Sequence, residues 1–150
     1  MKYIIVTQTY PPRIGGMQNV MASISERLAS IEDTHVFPDH FLSKKNNFSN
    51  SQLQIHNNFS PKLLRPFIKK YLIDKVYKDN DVVICDSWKS INAVPTKIKK
   101  IFVLAHGQEF LSTNKKFGLI KKSLDRASCI ICSSNYTENL ITEFKVTDTK

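Results

Sequence analysis

Short apolar runs alternate along the chain with longer stretches in which apolar residues recur every three to four positions. Tyr3, Ile4, Ile5 and Val6 form a run rich in β-branched residues that predicts a buried strand. Met17, Val20, Met21, Ile24 and Leu28 follow at helical spacing, with Ser25, Glu26 and Arg27 on the other side. His35, Val36 and Phe37 predict a weak second strand, and Leu53, Gln54 and Ile55 a third. Between them, Lys44 to Ser51 is polar and rich in asparagine, a loop.

The second half repeats the alternation. Ser60 followed by Pro61 reads as a helix start, with serine as cap and proline at the first helical position. Leu64, Phe67, Ile68, Tyr71, Leu72 and Val76 then give an apolar stripe, although Pro66 can delay the regular helix to its own position. Asp81 to Cys85 and Ile101 to Leu104 predict strongly buried strands. A helix is expected over Phe117 to Leu124 and a last strand over Ser128 to Cys132. Asn135, followed three residues on by Glu138, predicts a capping box for a final helix through Phe144.

Strand and helix alternating throughout argue an α/β fold: a Rossmann-like parallel sheet, helices on both faces, right-handed crossovers. The 150 residues suit one domain, and no internal repeat or break in composition marks a second. At 41% apolar and 23% charged the composition is that of an ordinary globular protein. No apolar run approaches the ~20 residues that span a bilayer. The first run is too short for a secretion signal, and Thr7, Gln8 and Thr9 break it, so the expected location is the cytoplasm.

Cys129 and Cys132 have C-x-x-C spacing, but on a strand positions three apart face opposite sides. They and Cys85 read as small buried hydrophobes. The sequons at Asn47 and Asn135 carry little weight without a secretion signal. The net charge of +9 is more informative. Lysines crowd the middle and later chain, at 69–70, 97, 99–100, 115–116 and 121–122. An anionic partner or a solvated lysine surface both account for them. Nucleic acid is disfavoured, because no aromatic interleaving or recognisable module accompanies the charge.

Ligands on parallel sheets bind where strands run into helices, so three loops are the candidates. In the first, Pro11, Pro12, Arg13 and Ile14 lead to Gly15 and Gly16. The prolines stiffen the exit from the strand, and the glycines remove Cβ atoms where a helix begins, leaving room for a phosphate or sugar. A tight structural turn is the competing reading. The spacing is neither that of a dinucleotide fingerprint nor of a P-loop. The second loop, Asp86, Ser87, Trp88, Lys89 and Ser90, offers a carboxylate and an indole for a polar ring, or else a cap and a core aromatic. The third, Ala105, His106, Gly107, Gln108 and Glu109, puts an imidazole at a strand end, as a proton-handling group or as a structural histidine.

In this order, "PPRIGGMQNV", "AHGQE" and "DRASCIICSSNYTENL" resemble the N-terminal domain of retaining family 4 glycosyltransferases, which have the two-domain GT-B fold. The resemblance covers essentially the whole chain. It implies transfer of a sugar, with retention, from a nucleotide-sugar to a saccharide or lipid-linked acceptor in cell-envelope glycan synthesis. It implies that Gly15 and Gly16 lie against the donor diphosphate and sugar, that Gln18 contacts the acceptor, and that His106 is catalytic, reaching the transferred sugar. Asp86 and Trp88 would shape the acceptor pocket, with Glu109, Ser134 and Tyr136 at the rim. No metal and no cofactor are implied; the nucleotide-sugar is a co-substrate. In that family a second Rossmann-like domain supplies the groups that hold the leaving diphosphate. This sequence stops at Lys150, about where the linker should begin, so that domain is expected to be absent and the chain alone to lack transferase activity. A separate chain carrying it is one possible partner, and an anionic membrane surface, at the inner face of the membrane, another. The rival reading is a non-catalytic module that binds an anionic glycan or membrane surface.

Overall fold

The computed structural model of the chain describes residues 1–39, 51–58, 60–111 and 116–144. In these residues β1 (Tyr3–Val6), α1 (Gly16–Ala29), β2 (Thr34–Phe37), β3 (Leu53–Ile55), α2 (Arg65–Val76) and β4 (Val82–Cys85) follow in order. After them come β5 (Ile101–Ala105), α3 (Phe117–Leu124), β6 (Cys129–Cys132) and α4 (Asn135–Thr142), with 3-10 turns at Ser90–Ala93 and Gly107–Phe110. The strands form one sheet in the order β3-β2-β1-β4-β5-β6, and every pairing is parallel. Central β1 aligns Ile5 with Val36 on one side and with Ile84 on the other. This is the Rossmann-like α/β arrangement that the alternation of strand and helix patterns predicts.

Successive strand residues point to opposite faces, and both faces are covered. Ile4, Val6, Val83, Cys85, Ile101 and Val103 pack with Ile73 of α2, Ile120 and Leu124 of α3 and Ile141 of α4. Ile5, Val36, Leu53 and Leu104 pack with Met21 and Ala29 of α1. Burial on both sides is why these strands read as continuous apolar runs rather than alternating ones. Among the described residues no helix is long and apolar enough to cross a membrane.

Five local expectations are corrected. The helix does not start at Ser60–Pro61: a turn there bonds the Leu64 and Arg65 N–H groups to the Pro61 carbonyl, and α2 begins at Arg65. Nor does most of its apolar stripe face the core: only Leu72 and Val76, half-buried, pack against it. Leu64, Phe67 and Tyr71 are exposed, and the buried positions are Ile73 and Lys69. The cause is a polar tether: the Lys69 ammonium donates to the Thr7 carbonyl at 3.0 Å and to Asp39, tying the helix to the ends of β1 and β2. Burial lowers the lysine's pKa, and Asp39 opposes that shift.

At the last helix the cap is Ser134, whose Oγ accepts from the Thr137 N–H at 3.2 Å, and Asn135 is the first helical residue. The helix closes at Thr142, short of Phe144, whose ring turns inward against Phe110 and Phe117. Cys129 and Cys132 are half-buried on the edge strand β6 rather than enclosed, whereas Cys85 is enclosed. The asparagine-rich stretch 44–50, the Asn47 sequon and Lys115 lie outside the described residues.

Candidate functional site

After β1 the chain turns to β2 on one side, and after β4 to β5 on the other. The loops leaving β1 and β4 therefore diverge and open a crevice at the carboxyl ends of the strands, the switch point where open α/β sheets bind ligands. A pocket of about 260 Å³ lies there, lined among others by Gln8, Thr9, Asp86, Lys89, His106 and Glu109. Met17, in the first turn of α1, also reaches it.

Asp86 holds the crevice together. Its carboxylate accepts from the Thr7 hydroxyl at 2.8 Å and the Gln8 N–H at 2.6 Å on the β1 side. On its own loop it accepts from the hydroxyls of Ser87 and Ser90. The side chain is buried. A carboxylate with this many donors is committed to fixing two loops, although it remains part of the pocket wall. Trp88 goes elsewhere: its indole joins the core beneath β4, with Nε1 buried and unpartnered among the described residues. The Lys89 ammonium lies 5.6 Å from its ring centroid.

The β5 loop presents two titratable groups. His106 is half-buried, and its Nε2 is enclosed with no hydrogen-bond partner among the described residues. Burial pushes its pKa below the ordinary range, partly opposed by the Asp86 charge, so the neutral ring is favoured. The Glu109 carboxylate turns back to accept from the His106 N–H at 3.2 Å. Burial pushes the Glu109 pKa up to about 7; the His106 N–H and Lys89 work against that shift, and Asp86 adds to it. A carboxyl that titrates near neutrality beside a neutral imidazole can accept or release a proton.

Gly107 has a packing reason to be glycine. A Cβ there would meet Thr137 Oγ1 at 3.2 Å and the Tyr136 ring at 3.6 Å, so its absence lets the 3-10 turn seat against the start of α4. That contact brings Tyr136, which is exposed, to the edge of the β5 loop, while the Ser134 hydroxyl is engaged as the α4 cap.

The paired glycines differ from each other. Gly15 is extended, a conformation open to any residue, and a Cβ on it would overlap the Gln18 amide, which folds over it. Gly16 has open space where its Cβ would be. α1 starts with no side-chain cap and no acidic residue in its first turn. Neither backbone strain nor packing accounts for glycine at position 16.

Of the residues predicted from sequence, Asp86, His106 and Glu109 meet in one pocket; Gly15, Gly16 and Gln18 do not line it, although their chain neighbour Met17 does. Trp88, Ser134 and Tyr136 are not among the pocket's lining residues. Gln8, Thr9 and Lys89 were not singled out by sequence. The abrupt change from Val6 to Thr7, Gln8 and Thr9 marks the end of a buried strand, and at a switch point that end is the crevice.

Fold and pocket together define a class: a Rossmann-like parallel α/β domain with a small pocket lined by polar side chains at its switch point. Neither a family model nor any curated protein matches the chain.

Proposed function

We propose that the chain is the acceptor-side domain of a GT-B-type retaining glycosyltransferase, which moves a sugar from a nucleotide-sugar to a saccharide or lipid-linked acceptor. The observation that carries this reading is the Nε2 of His106, without a partner among the described residues and enclosed in a pocket of about 260 Å³ beside Glu109. A buried ring nitrogen without a partner is costly unless a ligand satisfies it. In this reading Nε2 hydrogen-bonds a hydroxyl of the transferred sugar. Gly16, uncrowded at an uncapped helix start, admits the diphosphate or the sugar close to backbone N–H groups. Gln18 and Glu109 face the acceptor hydroxyls, and Tyr136 and Ser134 stand at the rim. Asp86 acts by holding the β1 and β4 loops in place.

A helix start is worth only ~0.3–1 kcal/mol to an anion at an exposed site. Charge for a departing diphosphate would therefore fall to a second, nucleotide-binding domain. Saturation-transfer NMR with a panel of nucleoside-diphosphate sugars and free saccharides tests the proposal. Binding is expected, and His106→Ala should weaken it about tenfold, the loss of roughly one hydrogen bond. If no member of the panel binds, or if binding is indifferent to His106, the reading is wrong.

A further inference from the structure

The first part of the apolar stripe of α2 lies on the wrong side of the helix for a core element. Leu64, Phe67, Ile68 and Tyr71 recur at i, i+3, i+4 and i+7 and form one face, with Leu63 just ahead of the helix. Phe67 is 71% exposed and Leu63 86%. The opposite face is the buried one, with Ile73 and Lys69, so turning the stripe inward would break the tether to Thr7 and Asp39. Contiguous exposed apolar surface of this kind marks an interaction site.

The surrounding charge selects the partner. Lys62, Arg65, Lys70, Lys75 and Lys78 flank the stripe, and the Lys75 ammonium sits 4.5 Å from the Tyr71 ring centroid. Asp74 is the one carboxylate between Lys62 and Lys78, and Lys97 neutralises it at 2.8 Å. Beside Phe67 and Tyr71 a groove of about 370 Å³ carries Lys70 and Lys97 on its walls. A second copy of the chain would bring the same lysines against these and repel. Long basic side chains around an aromatic-aliphatic stripe suit the boundary between acyl chains and anionic headgroups, where the rings enter the interface and the ammonium groups extend outward to the phosphates.

We propose that the outer face of Leu63–Tyr71 docks this protein on an anionic lipid bilayer, with Phe67 and Tyr71 inserted and Lys62, Lys70 and Lys75 on the headgroups. This surface is independent of the switch-point pocket, so it stands whatever the pocket binds. The test is co-sedimentation of the full chain with vesicles of phosphatidylcholine alone or mixed with phosphatidylglycerol. Binding is expected on the mixed vesicles only, to weaken about fivefold for each of Lys62, Lys70 and Lys75 changed to glutamine, and to fall with added salt. Phe67→Glu/Tyr71→Glu should abolish it while the thermal melt is retained, since both side chains are exposed.

A gain-of-signal variant guards against misfolding of the double variant. In Phe67→Trp, a brominated lipid should quench the new indole, against a constant background from buried Trp88. No binding to the mixed vesicles, binding untouched by the double variant, or unquenched fluorescence in Phe67→Trp would each overturn the proposal. So would concentration-dependent self-association, without lipid, that the double variant removes; that result would assign the face to a second copy of the chain.

Discussion

Replacing Asp86 separates a group that holds the pocket from a group that touches its ligand. In Asp86→Ala the Gln8 N–H and the Thr7 hydroxyl lose their acceptor in a buried setting. Each orphaned donor costs about 1–3 kcal/mol, although the Thr7 hydroxyl can turn to the Thr9 carbonyl, 2.7 Å away. The Ser87 and Ser90 hydroxyls can rotate, so they add less. The sum is about 3 kcal/mol, a large share of the ~5–15 kcal/mol that holds a typical domain folded. Asp86→Asn keeps one oxygen for Gln8 and Thr7 and offers its amide to two serine hydroxyls that can accept as well as donate. It loses charge assistance only, about 1 kcal/mol. Urea unfolding followed by far-ultraviolet circular dichroism, with unchanged m-values, measures both differences. The predicted order is wild type, Asn, Ala. If Asp86→Ala unfolds within about 0.5 kcal/mol of the wild type, the carboxylate does not tie the loops. If Asp86→Asn is as stable as the wild type yet binds no sugar, the carboxylate contacts ligand and its role here has been misread.

Gly16→Ala makes a complementary prediction: with open space for the methyl and a helical position to fill, it should stabilise the fold by about 0.5–1 kcal/mol in the same unfolding assay and weaken nucleotide-sugar binding in the NMR titration. Lys69→Met orphans the Thr7 carbonyl, while Asp39, a third exposed, regains water, so a loss of about 1–3 kcal/mol is expected in thermal melts. His56 is predicted to govern acid sensitivity. Its ring stacks on Phe37 and its Nε2 lies 2.8 Å from His35 Nδ1; burial, and then His35, lowers its pKa to about 4. Because the unfolded ring titrates near the ordinary histidine value, the unfolded chain binds more protons between about pH 6.5 and 4. Stability is then full above that window and falls through it by roughly 2 kcal/mol, allowing for a partly solvated ring, and His56→Gln should flatten the slope in unfolding measured against pH.

The sheet was legible because every central strand is buried on both faces, so Tyr3–Val6, Val82–Cys85 and Ile101–Ala105 stand out as unbroken apolar runs. α2 was misread for the converse reason. Periodicity identifies an apolar stripe but not which way it turns, and this helix turns inward Ile73 together with a lysine whose partners, Thr7 and Asp39, lie 62 and 30 residues away in sequence. No local pattern marks a long-range tether of that kind. The α4 cap was misplaced by a single residue because Ser134 and Asn135 are both good caps, and the choice rests on which one reaches the Thr137 N–H.

Strand-end position carried most of what sequence revealed of the site, and it works only as far as side chains leave the strand toward the crevice. His106 and Glu109 do, because the tight 3-10 turn after β5 folds the glutamate back onto the histidine's own N–H. Trp88 sits equally close to a strand end, but its indole joins the hydrophobic core, where burial of so large a ring is favourable. Asp86 shows a third outcome: it reaches the crevice and spends its lone pairs on the loops that shape it. The polar groups at this switch point therefore divide by the state of their hydrogen bonds. Those already satisfied build the pocket. The Nε2 of His106, enclosed without a partner among the described residues, is the group that a ligand would satisfy under the proposed function.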